Sequence, residues 1–325
     1  MSQRPARVPL RLFEPSIFIR DFAGLGNRIE SLNIAFAIAE LGGQSITLDW
    51  PELDVLRVAG SRAGKLTWPR RLLRTKPRHF ECDDDVKHAA RAHTLDLRRF
   101  YGRAPLLDAG YGALGARLSI IPALARHIEA RFAAFCGDHP VVGVHVRRGD
   151  FRGEETDCYQ PLSHSHAAVP LWWYVAMMDS IKALQPDVRF FLSLNGKLAD
   201  FEPFAKRDDC FVMDWASSPH NHAGHDSAVH PVADLFSLAC CSVLLATPGS
   251  SFSHVAANLL GPPTTALTPA AFARPNQPDF IISRLHHQRL ATWNAATRET
   301  PPPDQTHTLP LASRAHTDWL HQPCE

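Results

Sequence analysis

A His, two Arg, a Gly and an Asp follow one another at the end of an apolar run: Val141, Val142, Gly143, Val144, His145, Val146, Arg147, Arg148, Gly149 and Asp150. Runs of this kind form strands buried on both faces of parallel sheets, and ligands bind outside the carboxyl ends of such strands. Guanidinium groups there suit an anion, a phosphate or diphosphate above all, because their planar donors match its oxygens. A solvated or salt-bridged Arg pair is the plainer alternative. His145 and Arg147 are two apart and share a strand face, whereas Arg148 faces the other way. A guanidinium at the first Arg position would neutralise a departing diphosphate without a metal ion.

A second constellation lies downstream. Asp234 sits in an otherwise apolar helical run that ends at Cys241, a strand-like run leads to Thr247, and Pro248-Gly249 turns into Ser250, Ser251, Phe252 and Ser253. Hydroxyls and free N–H groups at a helix start form a phosphate site; plain N-caps are the alternative. The Asp234 carboxylate can accept the N1–H and amino hydrogens of guanine together, a pair adenine cannot offer. Its other reading is a charge at a helix N-terminus.

The elements that must hold these residues alternate. Residues 16–22 read as a strand, Gly24, Leu25, Gly26 and Asn27 as a glycine turn, residues 28–41 as a helix stopped by Gly42-Gly43, and residues 45–49 as a second strand. This is a β-α-β unit with a right-handed crossover. Residues 118–135 read as a helix that residues 136–140 break, and the domain boundary is placed there. Beyond it, strand-like runs at 141–147, 188–194, 242–247 and 264–267 alternate with helix-like runs at 171–184, 198–207, 229–241 and 251–260. The pattern predicts two α/β domains, 1–137 and 138–285, followed by a partly irregular tail, 286–325, rich in Pro and His.

Gly24-Leu25-Gly26-Asn27-Arg28, the segment from His145 to Asp150, and Asp234 followed by Ser250-Ser251-Phe252 occur in an order and at separations that resemble the GDP-fucose-dependent fucosyltransferases. The resemblance spans roughly residues 16–262. It implies a GT-B-like fold of two Rossmann-like domains facing a central cleft, and inverting transfer of fucose from GDP-fucose, usually without a metal. It implies that His145 and Asp234 hold the guanine and that Arg147 binds the β-phosphate and helps GDP leave. Ser250 or Ser251 would touch the phosphates, with Phe252 and Arg148 beside them, and Gly24, Gly26, Asn27 and Arg28 would meet the nucleotide-sugar across the cleft. A base must take the acceptor proton. In the α1,6 branch a Glu ten residues past the motif's His has that role, which lands on Glu155, with Asp150, Glu154 and Asp157 in the same loop; a plain polar loop is the alternative. Phe151 stands where that branch carries a Lys, and Gly-Leu-Gly-Asn resembles the α1,2 branch instead, so both branches stay open.

Whole-chain properties bound the remaining readings. The 325 residues are 45% hydrophobic and 21% charged with net charge +1, enough for two cores and no general pull towards nucleic acid. Seven Cys, none in a C-x-x-C pair, suggest reduced thiols and a cytoplasmic setting. The first residues do not resemble a signal peptide, and no apolar stretch reaches about 18 residues. From Arg57 to Arg78 there are eight Lys/Arg and no acid, with Leu66, Trp68, Leu72 and Leu73 interleaved. That segment reads as a solvated basic surface or as contact with an anionic acceptor or the inner membrane. Asp83-Asp84-Asp85 contains the D-x-D pattern of metal-dependent glycosyltransferases but follows no clear buried strand, and the histidines at 164, 166, 220, 222, 225 and 230 fit no closed zinc site, so no metal site is expected.

The expected function is therefore a glycosyltransferase moving fucose from GDP-fucose, with no other cofactor, to a glycan or glycolipid. The alternatives are a catalytically inactive GDP-sugar-binding protein and a transferase using another GDP-linked sugar. A nucleotide hydrolase of the Walker type lacks its phosphate loop here.

Overall fold

The computed structural model describes residues 14–77, 79–148, 156–160, 168–216, 229–262, 264–283 and 309–322. In chain order its regular elements begin with β1 (Ser16–Arg20), α1 (Leu25–Gly42), β2 (Ser45–Asp49), β3 (Leu56–Val58), β4 (Ser61–Ala63), α2 (Trp68–Leu72), α3 (Asp83–Ala90), β5 (Thr94–Leu97), α4 (Leu106–Tyr111), β6 (Leu118–Ile120) and α5 (Pro122–Cys136). Four of these strands form a parallel sheet in the order β4-β2-β1-β5. Ile17 and Ile19 of β1 are buried with Ile29 and Leu32 of α1 in one core. The opposite face is polar, and arginines cover it. Arg70 donates to Ser16 Oγ at 3.1 Å and lies over the Phe18 ring. Arg62 donates to Thr47 Oγ1 and Ser45 Oγ at 3.3 and 3.2 Å. Asp96 accepts two bonds from Arg20 at 3.1 and 2.7 Å, with Arg74 and Arg98 at 3.5 and 3.6 Å. Buried polar groups are stable there because each is bonded.

The second half comprises β7 (Val141–Val146), α6 (Leu171–Leu184), β8 (Arg189–Leu194), α7 (Glu202–Ala205), β9 (Cys210–Phe211), α8 (Pro231–Ala239), β10 (Val243–Leu245), α9 (Ser251–Asn258), β11 (Thr265–Pro269) and β12 (Phe280–Ser283). Its sheet runs β12-β11-β10-β7-β8-β9, parallel except for β12. The chain winds outward from β7 through β8 to β9, then returns to β10 and winds the other way. This is the doubly wound order, and its switch point lies between β7 and β10. All six residues of β7 are buried, as its unbroken apolar run predicts. Gly143 is required within it, because a Cβ would stand 2.4 Å from Leu244 Cδ2 on β10.

The two halves share a core in which α1 and α9 pack against each other. A buried polar cluster crosses that contact. Tyr111 Oη lies 2.7 Å from both Glu30 Oε1 and His254 Nε2, and His254 Nδ1 lies 3.2 Å from Asn258 Nδ2. His230 fixes a second crossing: its Nδ1 accepts the Val232 N–H at the start of α8, and its Nε2 meets Asp54 at 3.1 Å.

Several boundaries differ from expectation. The first helix begins at Leu25, not residue 28, so Gly26 and Asn27 lie in its first turn. Residues 118–120 form a strand paired with β3, and the expected helix starts only at Pro122, whose ring suits the first helical position. The helix expected over 198–207 splits at Phe201 into a 3-10 turn, Leu198–Asp200, and the short α7, which has Pro203 in its first turn. Helix α5, on the first side of the expected boundary, packs on the second sheet through Phe132, whose ring is 5.7 Å from Phe191 and 5.2 Å from Phe211. Part of the tail is ordered against the body: Trp319 stacks on Phe236 at 5.4 Å, and Leu320 is buried. Among the described residues no helix is long and apolar enough to cross a membrane.

Candidate functional site

The β7/β10 switch point gathers the sequence motifs. Arg147 and Arg148 are half-buried at the carboxyl end of β7, and Thr247 to Ser251 follow β10 beside them. The strand end is braced from two sides. Thr247 Oγ1 donates to the His145 carbonyl at 2.9 Å and accepts the Arg147 N–H at 3.2 Å. The Tyr174 hydroxyl of α6 donates to the same carbonyl at 3.0 Å. Neither Thr247 nor Tyr174 was expected here, since a hydroxyl aimed at a backbone carbonyl leaves no spacing signal.

His145 is buried, its Nδ1 2.7 Å from Ser253 Oγ, and its ring 5.1 Å from that of Phe252. Burial, with the nearby Arg147 charge second, holds its pKa down at about 3, so the imidazole is neutral. Ser253 Oγ already accepts the Thr247 N–H at 3.3 Å. With the Ser253 hydroxyl donating to Nδ1, Nε2 is the N–H donor of the ring; with Nδ1 donating to Ser253, Nε2 is its acceptor. Among the described residues, Nε2 has no hydrogen-bond partner.

Beside His145 in the sheet register stands Ser193 of β8, and Ser193 Oγ donates to Asp234 Oδ2 at 3.0 Å. Asp234 is buried, and its other oxygen, Oδ1, has no hydrogen-bond partner among the described residues. Burial raises its pKa from 3.8 to about 7, and the Ser193 bond offsets only part of that. One half of the carboxylate is held by a neighbouring strand, and the other is an unsatisfied buried acceptor. Leaving such an acceptor unpaired costs about 1–3 kcal/mol or more. An N–H pair from a ligand would relieve it. Ser193 is a further residue the motifs did not reveal, because only the β7/β8 register places it there.

The glycine segment meets this region from the other half. A Cβ on Gly26 would fall 2.7 Å from Phe252 N, so the start of α1 touches the start of α9 backbone to backbone. Gly24 carries no such demand, since nothing lies within 4 Å of its Cβ position. Asn27 is half-buried in the first turn of α1. Arg28 departs from expectation. Its guanidinium is 1% exposed and turned inward, bonded at both ends to Glu52 at 2.7 and 2.6 Å and through Nε to the Ala23 carbonyl at 2.9 Å. A buried Arg needs its carboxylate, so Arg28 braces the turn instead of meeting a ligand. Ser250 is buried at the N-cap of α9, yet its hydroxyl makes no capping bond, so the plain-cap reading does not hold for it. Ser251 and Phe252 are half-buried beside it. Gly149, Asp150, Glu154 and Glu155 lie outside the described residues; Asp157 is exposed.

The Asp triplet is used for capping. Asp85 Oδ2 accepts the Glu81 and Cys82 N–H groups, which lowers its pKa, and Asp83 accepts the Leu106 N–H at 2.8 Å. Of the loop histidines, only His230 is described, and it holds Asp54.

No family model and no curated protein matches the chain. Solved structures do match in fold. NodZ α-1,6-fucosyltransferase soaked with GDP-fucose aligns with a TM-score of 0.51 at 15% identity, over 84% of this chain and 99% of that one. The same enzyme co-crystallised with GDP aligns with a TM-score of 0.50. A point mutant of Arabidopsis thaliana FUT1 in complex with GDP aligns with a TM-score of 0.51 at 11% identity, over 80% of this chain and 71% of that one. The chain therefore has the GT-B-type α/β fold of these structures.

Proposed function

We propose that this protein is a glycosyltransferase that takes fucose from GDP-fucose and passes it to a hydroxyl of a glycan or glycolipid. The observation that carries the reading is the Asp234 carboxylate. It is buried in a fold seen in GDP-bound transferases, its Oδ1 lacks a donor among the described residues, and its Oδ2 is held by Ser193, the register neighbour of the neutral His145. Guanine offers N1–H and an amino group side by side to such a carboxylate, and His145 Nε2, in its N–H tautomer, supplies a donor for an acceptor on the ring. Adenine and uracil lack that pair of adjacent donors.

The remaining roles follow from charge. The bond from the anomeric carbon to the β-phosphate oxygen breaks as the acceptor oxygen bonds to that carbon from the opposite face, which inverts it. Negative charge grows on the leaving diphosphate, and Arg147 with the N–H groups opening α9 takes it up, with no metal ion required. Arg148 and the Ser250 and Ser251 hydroxyls add donors around the phosphates. The acceptor proton passes to a carboxylate of the loop after Arg148, Glu155 or Asp150.

Titration of GDP, GDP-fucose, UDP and ADP in EDTA tests the reading, with Arg147→Ala beside the wild type. GDP and GDP-fucose should bind selectively, and loss of a charge-assisted contact of about 1.5–3 kcal/mol should weaken them about 10- to 100-fold in the variant. Fucose release to a glycan acceptor then separates a transferase from a protein that only binds. Equal binding of all three nucleoside diphosphates would overturn the site.

A further inference from the structure

We propose that the outer face of the N-terminal sheet, at α2, docks on an anionic lipid surface. This inference stands apart from the sugar-transfer reading and fails or holds separately from it.

Doubly wound sheets carry helices on both faces. Among the described residues, the face opposite α1 has only the five-residue α2 and a cover of arginines, as described above. Within α2, Arg70 points inward to Ser16 and Phe18. Trp68 and Leu72 are one turn apart on the other side of the helix, and Leu73 follows at its end. These three side chains are 71%, 68% and 62% exposed. No residue of α2 is buried, so the helix is not folded for the sake of the core. Clustered exposed apolar groups of this size mark an interaction site.

Charge selects the occupant. Lys65, Arg71 and Lys76 are exposed next to the apolar residues in the chain, Arg62 is exposed and faces Glu14 at 4.0 Å, and residues 57–76 contain no acid. The carboxylate behind them, Asp96, is buried and already faces Arg20, Arg74 and Arg98. The patch thus keeps a positive excess over a protein whose net charge is only +1. Cations beside a Trp and two Leu match the phosphate layer and acyl boundary of an anionic membrane, where each part finds its own solvent. A nucleic acid would meet the cations but leave the two Leu without a partner.

Co-sedimentation of the full chain with vesicles of phosphatidylglycerol and phosphatidylcholine tests this. Wild-type protein should bind the mixed vesicles, release as salt is raised, and ignore pure phosphatidylcholine. Each surface cation contributes roughly a fivefold gain in partitioning, so Lys65→Glu/Arg71→Glu/Lys76→Glu should bind at least about 100-fold more weakly. Trp68→Ser/Leu72→Ser/Leu73→Ser should also lose binding. Both variants change exposed positions, and unchanged melting curves and GDP titrations confirm that they fold. Absence of wild-type binding, equal binding to neutral vesicles, or full binding by either variant would refute the docking surface. So would tighter capture by duplex DNA or an acidic protein than by the mixed vesicles.

Discussion

Asp234→Asn should make the protein more stable and a poorer ligand binder at once. In the free protein the Asp234 pKa is about 7 against an ordinary 3.8. Between those values the folded state holds a proton that the unfolded chain has released. Stability is therefore fully present below pH 4, falls as pH rises towards 7, and levels off above it. At about 1.4 kcal/mol per pH unit, the loss is at most about 4 kcal/mol. Asn carries no charge, so the variant should lose this slope and gain up to that amount at pH 8. Guanine donors favour the ionised carboxylate, so binding must expel the proton. GDP-fucose affinity should rise up to tenfold per pH unit from pH 5 to 7, about 100-fold in all, and then level. His145 stays neutral throughout this window, because its pKa is held at about 3. GDP-fucose is the proper probe, since the terminal phosphate of GDP itself titrates near about pH 6. Calorimetry at pH 6 in two buffers of different ionisation enthalpy should show release of close to one proton per ligand. In the Asn variant, losing two charge-assisted bonds of about 1.5–3 kcal/mol each should weaken binding by about 100- to 10,000-fold and remove the pH dependence. Wild-type affinity in the variant, no proton release at pH 6, or no gain in stability at pH 8 would refute the guanine pocket.

Glu155→Gln and Asp150→Asn separate the two candidate bases: the variant of the true base should lose about 100- to 10,000-fold in turnover with unchanged GDP-fucose affinity, read by steady-state transfer and calorimetry. If both retain full turnover, the base lies elsewhere. Gly26→Ala sets a Cβ 2.7 Å from Phe252 N; forcing the two helix starts apart should cost about 1–3 kcal/mol in denaturant melts and weaken GDP binding, while Gly24→Ala should change neither.

The segments that meet at the β7/β10 switch point were visible as sequence because their pattern is local. The unbroken apolar run of β7 and the Gly-Ser-Ser opening of α9 announce a strand end and a helix start whatever surrounds them. Misread were the elements whose ends depend on distant partners. The helix start at Leu25 is set where Gly26 meets α9, and β6 is a strand only because β3 pairs with it. Arg28 shows the same limit: its type suits an anion, and nothing local reveals that Glu52 captures it.

By itself, the sequence determined that the chain is an α/β protein with an arginine-bearing strand end, since alternating runs and glycine breaks are properties of consecutive residues. The tertiary structure decided which polar atoms remain unsatisfied. Register sets Ser193 on one oxygen of Asp234 and leaves the other without a partner among the described residues, burial makes His145 neutral, and the packing of α1 on α9 brings the glycine segment to the Ser-Ser-Phe segment. Each of these depends on groups far apart in the chain, and desolvation and hydrogen-bond partnership exist only once those groups are brought into contact.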